Sequence, residues 1–267
     1  MNSELSHSSL ETVIEGVELR LSILKRQGKK DPVVFLHGFG STKEDFADFV
    51  LQREFDGHPF LAIDAPGCGE TWCSDLSRVD IDFQVKAALA ATEYLGFNRY
   101  HLVGHSMGGL GGLLLSHRYP ERVLSFVNIK GNLASEDCFL SRQILDYPVD
   151  DIRRFFDDFI ERARLSSQYG SALYSSSLRA KVQPEAIRGI FSSMVELSDR
   201  GDLLRKFIDL KCKKMFMYGE QYRTLSYLKL LQNEELELLE IPHCGHFPMY
   251  SAPQTMWMAI SKLQKMN

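Results

Sequence analysis

A serine framed by glycines is the residue of this chain best placed to do chemistry. In Val103-Gly104-His105-Ser106-Met107-Gly108-Gly109 an apolar run (Arg99 to Val103) ends in Gly-x-Ser-x-Gly, and a helical pattern follows at once. Strand-to-helix reversal over so few residues forces the central residue into a strained backbone conformation. It tolerates only very small residues two positions away, because a Cβ there strikes the neighbouring turn. Ser106 is left with its hydroxyl exposed at a helix N-terminus, where free N–H groups favour a developing anion. The chemistry this predicts is nucleophilic attack by serine on an acyl carbon.

Such attack needs a base for the serine proton, a group to orient that base, and donors for the oxyanion. Of the eight histidines, His246 stands out, because Pro242-His243-Cys244-Gly245-His246-Phe247-Pro248 follows the last strand pattern and opens the terminal helix. In a parallel sheet the loops at the strand C-termini gather on one rim, which puts His246 beside Ser106. His243, three residues earlier, sits closer to the strand body.

The elements that must position these groups are legible in outline. Thr12 to Leu24, broken at Gly16, reads as an antiparallel edge hairpin. Pro32–Leu36, Phe60–Ile63, Arg99–Val103 and Val123–Ile129 are short apolar strands of the kind buried on both faces. Between them lie helical patterns: one capped by Ser41 or Thr42 with Phe46, Phe49 and Val50 inward, one from Ile81 to Leu95, and one from 107 to 118. Strand alternating with helix predicts an α/β fold with a mostly parallel central sheet flanked by helices. The rhythm breaks after Gly131. Residues 133–209 carry helical stretches (Asp150–Arg164, Pro184–Leu197, Asp202–Ile208) and a Ser/Tyr-rich connector at Ser166–Ser177, and read as a helical cap inserted into a core of residues 1–132 and 210–267. Lys214–Tyr218 and Leu236–Ile241 resume the strands, and Ala252–Lys265 closes with a helix.

With these motifs in order, the chain resembles the α/β-hydrolase superfamily. His37-Gly38-Phe39-Gly40 is similar to its oxyanion loop, Gly104 to Gly109 to its nucleophile elbow, and Gly245-His246-Phe247-Pro248 to its histidine loop; Asp64-x-Pro66-Gly67-x-Gly69 resembles a further family loop. The resemblance implies that the backbone N–H groups of Phe39 and Met107 form the oxyanion hole, and that His37, Gly38 and His105 border the substrate. It also implies an acid after the strand ending at Tyr218. There the chain departs from the pattern, since Gly219-Glu220-Gln221-Tyr222-Arg223 holds no aspartate. Glu220 is the expected acid, Glu136 or Asp137 the alternatives, and a Ser-His dyad the third option. Lys130, at the end of the preceding strand, cannot orient an imidazolium by charge.

Composition narrows the class. The 267 residues suffice for one large domain; 44% are hydrophobic and 25% charged, with a net charge of −4 and pI near 6.1. Nothing there favours nucleic acid or anionic membrane, and no apolar run approaches the roughly 20 residues of a bilayer span. The polar Met1–Thr12 stretch lacks the apolar core of an export signal, and five scattered cysteines read as free thiols, so a cytoplasmic protein is expected. No cofactor or metal is expected; the partner is a small molecule, and the chain a monomer or homodimer. A serine nucleophile argues against carboxylate-nucleophile chemistry. Cleavage of an ester, thioester or lactone of a small to medium hydrophobic substrate is the leading expectation. C–C bond hydrolysis or lysis, or a catalytically weak ligand-binding relative, are the alternatives. The arginines of 133–209 sit among as many carboxylates and read as a solvated face.

Overall fold

A computed structural model describes residues 4–148 and 151–265. Among the described residues nine strands form one sheet: β1 (Ser6–Ile14), β2 (Val17–Arg26), β3 (Val33–Leu36), β4 (Phe60–Ile63), β5 (Trp72–Cys73), β6 (Tyr100–His105), β7 (Val123–Ile129), β8 (Lys213–Gly219) and β9 (Glu237–Ile241). Their order is β1-β2-β4-β3-β6-β7-β8-β9, with β5 paired to β2. From β4 to β9 all neighbours run parallel, while β2 pairs antiparallel with β1, β4 and β5. The central strands β3, β4 and β6 are buried along their whole length, which is why they carry unbroken apolar runs. The β1–β2 hairpin turns on Glu15 and Gly16, both at positive φ (50° and 80°), the geometry a two-residue hairpin needs.

The helices are α1 (Ile81–Tyr94), α2 (Met107–Arg118), α3 (Ile152–Arg164), α4 (Ser171–Lys181), α5 (Ile187–Arg200), α6 (Leu203–Asp209), α7 (Leu228–Asn233), α8 (Pro248–Ser251) and α9 (Pro253–Lys265). An aromatic cluster of Phe35, Phe46, Phe49, Phe55, Phe60 and Trp257 packs the sheet to α9 and the 43–55 segment. Phe126 and Phe207 form a ring pair that joins β7 to α6. Among the described residues, no helix is long and apolar enough to cross a membrane.

Two elements differ from expectation. Lys43–Leu51 is a 3-10 helix, not an α-helix. Thr42 does not cap it; the Lys43 N–H goes instead to the buried Asp64 carboxylate at 2.9 Å. Asp64 also accepts from the Lys43 ammonium (2.8 Å) and the Glu70 N–H (2.9 Å), which fixes the loop after β4 beside the site. The Ser/Tyr-rich connector, in turn, is largely helix. From Gly170 in the left-handed conformation, α4 starts at Ser171 and buries Tyr174 and Leu178 one turn apart. Its serines return hydrogen bonds to carbonyls three residues back, so their polarity conceals an inward-facing stripe.

Candidate active site

The C-terminal ends of β3, β6, β7, β8 and β9 converge on one rim, and the candidate residues lie there. Ser106 follows β6 directly, at φ 52° and ψ −118°, and precedes α2. Left-handed φ is costly for a residue with a Cβ and is held here by surrounding structure. The Ser106 N–H donates to Ile129 O on β7 (2.9 Å), and its carbonyl starts α2 by accepting from Leu110 N (3.0 Å). The flanking glycines are steric necessities. A Cβ on Gly104 would lie 2.3 Å from Gly108 O, and one on Gly108 would lie 2.2 Å from Leu36 O.

The Ser106 hydroxyl lies 2.8 Å from His246 Nε2. His246 is set on the loop after β9 by a second histidine: His105 Nε2–H donates to the His246 carbonyl at 2.6 Å, and the two rings lie 4.9 Å apart. Burial, above all, holds His246 well below the ordinary imidazole value of 6.5, and charge on His105 or Lys130 would act the same way. A neutral imidazole with Nε2 facing a hydroxyl is arranged to accept its proton. His243, the rival base, is exposed and points elsewhere.

The loop after β3 passes against the nucleophile. A Cβ on Gly38 would meet His105 Nδ1 at 2.7 Å and Ser106 Cβ at 3.0 Å, so only glycine lets the backbone of Phe39 approach. Met107 is the first residue of α2, and its N–H has no intrahelical acceptor. The Phe39 carbonyl is turned away to accept from Tyr174 Oη (2.9 Å). His37, Gly38 and His105 are not on the cavity wall; they hold the backbone behind it. His37 Nδ1–H donates to Gly38 O (2.8 Å), and its Nε2 accepts from Ala65 N (2.9 Å), which fixes the tautomer and ties the β3 loop to the β4 loop. Burial lowers His37 and takes His105 down to about 4, so both remain neutral.

Glu220 is not brought to His246. Its oxygens lie 3.5 Å from Arg223 Nη2 and 3.7 Å from His243 Nδ1, because the 3-10 turn after β8 carries the side chain outward. Glu136 accepts from Ser226 N and Oγ. Asp137 is buried but pairs with Lys130 Nζ at 2.5 Å. Among the described residues, His246 Nδ1 has no hydrogen-bond partner and is buried. Sequence reasoning missed Tyr222, whose ring meets His246 at 5.8 Å with the rings 60° apart, and the tie of Tyr174 to the Phe39 loop. Neither leaves a motif, since each is an aromatic made adjacent only by folding.

Ser106 and His246 open into a cavity of about 170 Å³. Phe39, Phe159, Phe191, Met194 and Phe247 supply its apolar wall, and Asn132, Ser141 and Gln168 supply polar points. Much of that wall comes from residues 133–209.

A family profile described as the Alpha/beta hydrolase family matches residues 33–257. The chain belongs to the alpha/beta hydrolase family. Several curated relatives bear hydrolase or lipase names. A 2-hydroxy-6-oxononadienedioate/2-hydroxy-6-oxononatrienedioate hydrolase of Paraburkholderia phymatum is 32% identical over 148 residues, covering 52% of this chain and 50% of that one. The chain thus spans about half the length of that relative. Human monoacylglycerol lipase ABHD6 is 25% identical over 281 residues, with 90% of this chain and 77% of the lipase covered. Among solved structures, a mutant N-acyl homoserine lactonase AidH superposes with a TM-score of 0.76 at 17% identity, covering 98% of this chain and 96% of the lactonase, a likeness of fold.

Proposed function

We propose that the chain is a serine hydrolase that cleaves a carboxylic ester-like bond (ester, thioester or lactone) of a small to medium hydrophobic substrate. The observation that carries this reading is the strained Ser106 with its hydroxyl 2.8 Å from His246 Nε2. Ser106 Oγ attacks the acyl carbon as its proton passes to His246 Nε2. The Phe39 and Met107 N–H groups take the oxyanion. His246 then protonates the leaving group, and a water activated by the same nitrogen releases the acid and restores Ser106. Residues 133–209 act as a cap, and their aromatics select apolar acyl or alcohol groups. No cofactor takes part, and the substrate is met in the cytoplasm. Cleavage of a C–C bond beside a ketone is the second reading, favoured by the 32% identity to 2-hydroxy-6-oxononadienedioate/2-hydroxy-6-oxononatrienedioate hydrolases.

The test is hydrolysis of p-nitrophenyl butyrate by wild type and Ser106→Ala. Loss of a nucleophile costs about 10³-fold or more. Hydrolysis undiminished in Ser106→Ala would overturn the proposal. Turnover of a vinylogous 1,5-diketone with no ester turnover would favour the C–C reading.

A further inference from the structure

Where a histidine base usually has a carboxylate on Nδ1, this site has a buried cation close by. Lys130 directly follows β7 at φ 48°, its side chain 4% exposed, with Nζ 2.5 Å from Asp137 Oδ1. Asp137 Oδ1 also accepts from Tyr227 Oη (3.0 Å), and Oδ2 accepts from Leu133 N (2.8 Å) and Ala134 N (3.0 Å). Four donors occupy the acceptor sites of the carboxylate, so Asp137 is not free to turn to the imidazole. The Lys130 ammonium lies 4.7 Å from the centroid of the Tyr222 ring, within cation–π range. Tyr222 is anchored at its far end by donating to Gln168 Oε1 (3.1 Å), and its ring meets His246 at 5.8 Å. The other neighbours of His246 are His105, Ser106 and Phe247, none of them charged when His105 is neutral.

We propose that Asp137, Lys130 and Tyr222 form a positioning stack in place of the missing acid. Asp137 fixes the ammonium, the ammonium fixes the Tyr222 ring, and the ring holds the imidazole against Ser106. This rests on the Ser106–His246 reading above. It predicts a base held in place by an aromatic face, without a counter-charge for its imidazolium.

The test is kcat and KM at pH 7.5, measured with p-nitrophenyl butyrate. The variants are Lys130→Arg, Lys130→Met and the double variant Lys130→Met/Asp137→Asn, which leaves no uncompensated carboxylate. Lys130→Arg should keep most of kcat, whereas Lys130→Met and the double variant should lower kcat about tenfold with KM within twofold. A folded double variant with the wild-type kcat would overturn the proposal. If removing Lys130 prevents folding, Tyr222→Leu carries the test with the ion pair intact. It should lower kcat at least tenfold with KM within twofold, while Tyr222→Phe retains most of kcat; an unchanged kcat in Tyr222→Leu overturns the stack. Ser106→Ala separates the two ideas. If it is inactive while kcat of these variants stays unmoved, only the stack fails; if it is active, the serine reading fails first.

Discussion

Two alanine substitutions one turn of α2 apart should have opposite effects, and the difference can be worked from the backbone. At Gly108 a Cβ would lie 2.2 Å from Leu36 O, against a floor near 3.0 Å for real Cβ contacts, so the β3 loop and the elbow must part by about 0.8 Å (3.0 minus 2.2). At Gly111 the nearest atom is Val85 Cγ2 at 3.7 Å, ordinary contact distance. Helix propensity favours alanine over glycine by about 1 kcal/mol at both positions. Overpacking at Gly108 costs about 1–3 kcal/mol, leaving a net loss of roughly 0–2 kcal/mol. Taking about 2–4 °C per kcal/mol, Gly108→Ala should melt up to about 8 °C lower and Gly111→Ala about 2–4 °C higher. Activity should separate them further. The Gly108 displacement pulls the Phe39 N–H from the Met107 N–H, and misplacement approaching 1 Å costs on the order of 10²-fold in kcat/KM. Gly111→Ala should hydrolyse p-nitrophenyl butyrate at the wild-type rate. A Gly108→Ala enzyme within threefold of wild type, or a Gly111→Ala enzyme equally impaired, would refute this account of the elbow.

His105→Leu removes the donor to the His246 carbonyl and should lower kcat about tenfold, with His105→Gln recovering part of it; equal losses would show that the hydrogen bond is not what matters. Stability should fall with acid. His101 and His105 are buried and lowered from 6.5 to about 4, so they are neutral when folded and charge on unfolding. Stability is full above pH 6.5 and declines towards pH 4; at pH 5 each histidine has cost about 2 kcal/mol, the loss being 1.36 kcal/mol per unit between the two values. Melting followed by circular dichroism between pH 7.5 and 5 should show a drop near 10 °C, and His101→Gln should flatten it.

The elbow was legible because steric exclusion at a tight reversal writes itself into adjacent residues: Gly104, Ser106 and Gly108 are both the sequence signal and the structural cause. The parallel strands were legible from their double-sided burial. The surroundings of the base were not, because they are assembled across the fold. Glu220 stands where an acid is expected in sequence, yet one 3-10 turn directs it to Arg223 and His243. Lys130 and Tyr222 are 92 positions apart (222 minus 130) and meet only through adjacent β7 and β8. His37 and His105 look like site residues from their place in the motifs. Their ring nitrogens serve the backbone instead, a role no spacing reveals. Of the arginines of 133–209, Arg142, Arg153, Arg164 and Arg179 each pair with a carboxylate, while Arg162, read as part of a solvated face, lines the cavity.

The central claim is that Ser106 is a nucleophile activated by His246 without a carboxylate. Labelling native protein with a fluorophosphonate probe, followed by peptide mass spectrometry, tests it directly. The account predicts one adduct, on Ser106, formed at the wild-type rate in Glu220→Gln and lost in His246→Ala. No adduct under native conditions, or labelling that collapses in Glu220→Gln, would contradict it.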